Sequence, residues 1–211
     1  DERPYALQVA RRFGADHREL VLQPSQVAGM VPELVVAQDE PLADWVCLPL
    51  KLLARLVRDS GVIVVQVGEG SDELFAGYPR YRRYASVYHR YWRPYLHLPR
   101  VVRAAMGGLA DRVMAGSNRL REPRDLFRRA ALGEPLFISG AVVNWDREKE
   151  DLLTPGAASR LGASLSSAAV AARNLEAFAA ESPTGDFAAA MAYQDLMVRL
   201  PELLLMRVDK M

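Results

Sequence analysis

The sequence predicts an α/β protein: a partial doubly wound parallel sheet over residues 1–78, followed by a mainly helical portion over 79–211. Three observations carry this. Residues 62–67, "VIVVQV", are β-branched and apolar on both faces apart from Gln66, as in a strand covered on both sides. The order around that run, helix, strand, helix, helix, strand, is the rhythm of a doubly wound fold. Beyond residue 78 no comparable strand pattern occurs, and residues 100–115, 122–132, 165–181 and 185–208 read as helices separated by turns such as "AGSN" and "ESPTGD".

Taken in order, Pro4 suits the first turn of a helix whose Leu7, Val9, Ala10 and Phe13 precede Gly14, a left-handed cap. "HRELVLQ", residues 17–23, reads as a short strand. Pro24 and Ser25 start a second helix reaching about Val36, with Pro32 expected to interrupt it and begin a fresh turn. "CLPLKLLARLVRDSG" is a third helix, with Leu48, Leu52, Leu53 and Leu56 at helical spacing, Pro49 in the first turn and Gly61 at the end. Asp39, Glu40 and Asp44 form an acidic loop ahead of it, with Asp44 as its cap. With no repeat and no low-complexity linker, the two portions are expected to pack as one unit.

Composition narrows the function classes. Half of the 211 residues are hydrophobic, enough for a substantial core, and 27 Lys+Arg against 26 Asp+Glu leave a net charge of +1. No global field therefore calls for a nucleic-acid or membrane partner. No apolar run approaches the roughly 18 residues a membrane span requires. The single Cys47 has no internal disulfide partner and reads as a small buried hydrophobe, in keeping with a reducing cytoplasm. The helical patterns at both ends start and stop in mid-course, without an initiator Met, as in a piece of a longer polypeptide.

The chemistry concentrates in "VGEGSDELFAGY", residues 67–78, where a predicted strand turns into a helix. Ligands of open α/β sheets bind beyond the carboxyl ends of the strands. Gly68 and Gly70 admit a ligand close to the backbone, Ser71 can cap the next helix, and the free N–H groups of its first turn favour anions. Three carboxylates, Glu69, Asp72 and Glu73, conflict with phosphate unless a divalent cation lies between. Mg²⁺ resolves the conflict, because it binds phosphate oxygens together with one or two carboxylates and several waters. Asp72 is assigned as its ligand, and Glu69, projecting from the loop, as the group nearest a reacting substrate. Asp72 and Glu73 also suit a helix's first turn through the dipole alone. That reading leaves the two glycines around Glu69 unexplained.

Residues 39–81, "DEPLADWVCLPLKLLARLVRDSGVIVVQVGEGSDELFAGYPRY", resemble the synthetase domain of glutamine-hydrolysing asparagine synthetases, whose signature is Ser-Gly-(Glu/Asp)-Gly-(Ser/Ala)-Asp-Glu-Leu-Phe-(Gly/Ala)-Gly-Tyr. "YALQVARRFGADHREL" and "LPELLLMRVDKM" resemble that domain at matching positions. The resemblance implies one incomplete synthetase domain over 1–211, with an adenine-nucleotide alpha-hydrolase-like sheet. It implies a two-step reaction, in which ATP adenylates the side-chain carboxylate of aspartate and ammonia, drawn from glutamine by an N-terminal glutaminase domain, attacks the adenylate. Val67, Gly68, Gly70 and Ser71 would then contact ATP or pyrophosphate, Glu69 would assist at the adenylate, and Asp72 would hold Mg²⁺. Asp39 and Glu73 would support them from behind. The family's Ser-Gly-Gly-x-Asp-Ser loop does not occur in the sequence, and Val67 stands where the family has Ser, so this chain alone is expected not to make asparagine. A β-lactam synthetase-like enzyme shares the architecture.

A non-catalytic reading rests on residues 78–95, "YPRYRRYASVYHRYWRPY", with seven aromatics and five arginines. Rings and guanidiniums together also bind nucleic acid. Here Tyr81, Tyr84, Tyr88 and Tyr91 recur at steps of three and four, so they share one face of a helix ending near Pro94, a stripe suited to protein packing. Nucleic acid is not the expected partner. His17, His89 and His97 are assigned no chemistry.

Overall fold

The computed structural model describes residues 3–38, 44–142, 144–162, 166–183 and 185–211. They form two compact units, Asp1–Val67 with Met206–Met211, and Gly68–Leu205. Asp39 and Glu40 lie outside the described residues.

In the first unit, α1 (Arg3–Phe13) ends at Gly14, whose φ of 62° lets the Ala15 N–H reach the Ala10 carbonyl at 2.9 Å. Helix α2 (Pro24–Gln38) continues past Pro32 rather than breaking there. The missing N–H frees the Ala28 carbonyl, but both residues are exposed, so water satisfies it. Helix α3 (Cys47–Asp59) packs against α2, and Arg55 pairs with Glu33 between them. Asp44 holds the entry to α3: one carboxylate oxygen accepts from the Val46 N–H at 3.1 Å, and the other pairs with Arg207 on the terminal helix, Met206–Asp209. Cys47 is buried, and burial, then the Asp44 charge, pushes its thiol up.

The predicted parallel sheet is not there. Neither residues 17–23 nor 62–67 form a strand, and among the described residues there is no strand at all. A strand exists only as one of a hydrogen-bonded pair, and among the described residues no second segment completes a ladder with "VIVVQV". The run is instead open, with Ile63 97% and Val64 81% exposed. With Leu50, Leu53 and Val57 of α3 and with Val208 it borders an apolar trough of about 550 Å³. The apolar, β-branched composition predicted a strand covered on both faces, and the segment is neither a strand nor covered; composition does not supply the neighbour.

The second unit is a helical assembly. Short α4 (Ser71–Phe75) leads into α5 (Pro79–Val87), a π turn over Tyr88–Trp92 and α6 (Arg93–Leu96). Then follow α7 (Arg100–Val113), α8 (Arg121–Leu132), α9 (Asp146–Leu152), α10 (Pro155–Leu161), α11 (Ser167–Glu181) and α12 (Phe187–Met197), and a second π segment over Leu200–Leu205. The tyrosine helix thus continues past Pro94. Both π segments adjoin or contain a proline, Pro94 and Pro201, and a widened turn accommodates a residue that cannot donate to the ordinary ladder.

Helix α12 is the centre of this unit, packing against α4, α5 and α11. Tyr81 of α5, Met191 of α12 and Phe137 make its main buried cluster. Phe137 and Ile138 sit on an irregular stretch drawn into the core, where the polar backbone needs partners. Gln194 donates to the Ile138 carbonyl at 2.7 Å, and buried Arg129, held by Asp125 at 2.5 Å, donates to the carbonyls of Pro135 and Leu136 at 3.0 and 2.9 Å.

Candidate functional site

The acidic turn divides its three carboxylates. Gly70 adopts a left-handed φ of 90° at the entry to α4, and a side chain there would meet Leu200 at 3.2 Å. Beyond it Asp72 and Glu73 are adjacent on α4, where successive side chains point about 100° apart, so the two face different ways. Glu73 points inward and is 1% exposed, while Asp72 is exposed and Glu69 half-buried. Ser71 is the first residue of α4 and makes no side-chain cap; the capping position belongs to Gly70. Gly68 leaves open space where a side chain would stand.

Glu73 is an anchor. Its carboxylate accepts from the Tyr78 hydroxyl at 2.8 Å and lies 3.3 Å from the guanidinium of Arg199, which is 12% exposed and stacks over the Tyr78 ring at 4.4 Å. Arg199 also lies 4.0 Å from Asp195, which is fully buried. Asp195 in turn accepts from the Tyr81 hydroxyl at 2.5 Å, the Ser139 hydroxyl at 3.0 Å and the Gly140 N–H at 2.7 Å. Buried charges persist only when paired and hydrogen-bonded, and this network meets that condition for both acids. Burial, then the hydrogen bond to Glu73, pushes the Tyr78 hydroxyl up to about 12, and burial with Asp195 pushes Tyr81 higher still. Both phenols stay protonated as donors.

Asp72 is placed differently. Its carboxylate lies against Gly77, where a side-chain carbon would stand only 2.1 Å from Oδ1, and its backbone carbonyl accepts from the Gly77 N–H at 2.9 Å. Gly77 therefore makes room for the carboxylate to fold over the end of α4. Val67, 44% exposed, closes the first unit, and Gly68 opens the second. Among the described residues no group of three or more His, Cys, Asp or Glu side chains converges as a metal cage. The donor chemistry of Asp72 fits instead a Mg²⁺-type ion that takes a single protein carboxylate and completes its shell with water and phosphate oxygens.

Sequence reading placed Glu73 among supporting residues but missed its partners Arg199 and Tyr78, and Asp195 on the other side of Arg199. A trace was present: Asp195 and Arg199 stand four apart in a helical pattern, a charged pair set in "QDLMVRLPELLL" where most neighbours are apolar. The tyrosine stripe proves to be packing, with Tyr81 buried, Tyr84 bonded to Glu122 and Tyr88 stacked on Phe187 at 3.9 Å. Tyr91 departs from that face and is 61% exposed, because it lies inside the π turn, whose wider spacing breaks the register of the stripe. His17 meets Glu19 at 3.1 Å on the surface.

Comparison with known proteins agrees with the motif. Putative glutamine-hydrolysing asparagine synthetases of Mycobacterium tuberculosis and Mycobacterium bovis are each 38% identical over 111 residues, 53% of this chain and 16% of the relative. Asparagine synthetase [glutamine-hydrolyzing] 1 of Bacillus subtilis is 33% identical over 94 residues, 44% of this chain and 14% of that protein. The matched stretch is thus a small part of each relative's length. No solved structure matches. The family model for asparagine synthase matches residues 1–211, and with the glycine-flanked acids of 68–73 inside that match, the chain belongs to the asparagine synthase family.

Proposed function

We propose that this chain forms part of the ligase portion of a glutamine-hydrolysing asparagine synthetase. In the proposed reaction the side-chain carboxylate of aspartate attacks the α-phosphorus of ATP, pyrophosphate leaves, and ammonia then displaces AMP from the acyl adenylate to give the amide. The ammonia comes from glutamine through a glutaminase domain of the parent protein. The observation that carries this reading is the sorting of the acids: Glu73 is locked inside, while Asp72 is left on the solvent side and Glu69 stands on the loop between two glycines.

The chain's own residues then take distinct parts. Asp72 holds Mg²⁺, which when bound supplies positive charge beside the leaving pyrophosphate. Gly68 lets the nucleotide approach the main chain, Val67 and Ser71 adjoin it, and Gly70 sets the turn that presents Glu69. Glu69 orients the reacting carboxylate and adenylate. Glu73 with Arg199 fixes the turn, so the work is positioning and electrostatic stabilisation.

The test uses the intact parent enzyme with Mg·ATP, aspartate and ammonium, read by pyrophosphate release. Glu69→Gln should lower kcat by about 100-fold or more with the melting temperature unchanged. Asp72→Asn should raise the Mg²⁺ requirement. Wild-type turnover by both variants would refute the assignment. The 211-residue chain alone, which contains no Ser-Gly-Gly-x-Asp-Ser run, should release no pyrophosphate.

A further inference from the structure

The aromatic face of α5 and the π turn does not end in closed packing. Between it and α8 lies a cavity of about 310 Å³ walled by Tyr84, Tyr88, Trp92, Phe137 and Phe187, with Leu126 of α8 opposite. Four of its rings are fixed pairwise by one another, and Trp92 is held by Tyr95 and Phe127. Tyr88 and Phe187 stack face to face at 3.9 Å and 8°, and Tyr84 meets Phe137 edge-on at 6.0 Å. Walls held this firmly do not have to be ordered when a ligand enters, which lowers the cost of binding. The volume lies at the small end of the range for small-molecule sites, about 300–1,000 Å³, and suits a single one- or two-ring body.

The polar groups at the same cavity select the charge of that body. Glu122 accepts from the Tyr84 hydroxyl. Arg80 donates to the Gly140 carbonyl and lies over the Tyr78 ring at 5.0 Å. Arg83 also lines the cavity, is exposed, and makes no ion pair among the described residues. Two guanidiniums against one carboxylate leave the lining with one net positive charge. An aromatic-walled cavity with that balance disfavours a cationic guest, although rings alone would welcome one. A planar guanidinium with open donors matches a carboxylate instead.

We propose that this cavity is a binding site for a flat aromatic carboxylate, its rings among Tyr88, Phe187 and Trp92 and its carboxylate paired with Arg83. The site uses none of the residues of the acidic turn and does not depend on the reaction assigned to it. A fully packed core would leave no such space, and an ordinary surface cleft would not combine five aromatic walls with an uncommitted guanidinium.

Calorimetric titration of the full chain with 2-naphthoate, and with the uncharged 2-naphthamide as its near-isostere, tests this. Naphthoate should bind saturably at one site, with the amide about tenfold weaker, as for loss of one charge-assisted hydrogen bond. Arg83→Gln, a change at an exposed position, should weaken naphthoate by about the same factor and leave the amide unchanged. Leu126→Trp, which fills the cavity, should abolish both while thermal melting reports that the fold is kept. Equal affinity for acid and amide, an unaltered naphthoate affinity in Arg83→Gln, or no saturable binding of naphthoate at millimolar concentration would each overturn the proposal.

Discussion

Arg199 and Glu73 decide how the acidic turn is held. The pair is largely out of water, so removing one member strands the other's charge, a loss of about 3–5 kcal/mol, whereas removing both strands neither, Asp195 keeping its hydrogen bonds from Tyr81, Ser139 and Gly140. Glu73→Gln and Arg199→Met should each lower the urea-unfolding free energy by that amount, and the double variant should recover a measurable part of it. Simple additivity of the two losses would show that they do not act as a pair. Gly77→Ala probes the other acid. The added methyl would collide with the Asp72 carboxylate, so in the parent enzyme the Mg²⁺ concentration for half-maximal rate should rise several-fold, by about 1 kcal/mol in metal affinity. An unchanged Mg²⁺ dependence would remove Asp72 from the metal. These roles were only half-legible in sequence: the glycines and acids announced a candidate site, but Arg199, which pairs with Glu73, stands more than a hundred positions along the chain.

Elements show the same division between local and distant causes. Helices declared themselves through 3.6-residue spacing, as α3 illustrates, and through stop signals such as Gly14 and Gly61, both at positive φ. Pro32 was misread because a proline's cost in a helix depends on whether water can reach the freed carbonyl. The stripe Tyr81–Tyr84–Tyr88 kept its face until the π turn inserted its extra residue. The run 62–67 has high β-propensity and no charge, and in this chain it is uncovered, which makes it the segment most prone to self-association. Ile63→Lys should raise the soluble fraction on heating and leave the unfolding free energy within about 0.5 kcal/mol of wild type, since the side chain touches little. A strongly destabilised variant would mean that Ile63 is buried in solution.

The response of the whole molecule to acid is carried in part by Asp146, which ties α9 to the start of α11. Burial pushes its carboxyl up, but Lys149 at 2.7 Å and the N–H groups of Ala168 and Ser167 at 3.1 and 3.0 Å outweigh this and hold it at about 2, below its ordinary 3.8. A folded-state value below the unfolded one contributes stability that is present above about pH 4 and lost as pH falls through about 2. The contribution is about 2 kcal/mol. The stability gap between wild type and Asp146→Asn should therefore be constant above pH 5 and shrink below pH 4; a gap independent of pH down to 2 would contradict it. By itself the sequence determined helices within 100–115, 122–132, 165–181 and 185–208, though not α9 and α10, and the glycine-flanked acids of 68–73 and, through them, the family, because periodicity and turn chemistry are written in neighbouring residues. Tertiary structure alone decided that Glu73 faces Arg199, that aromatic rings enclose a cavity, and that "VIVVQV" stays open. Buried pairing, enclosure and strand formation each require a second segment, and its position is fixed by the fold of the chain rather than by any local pattern.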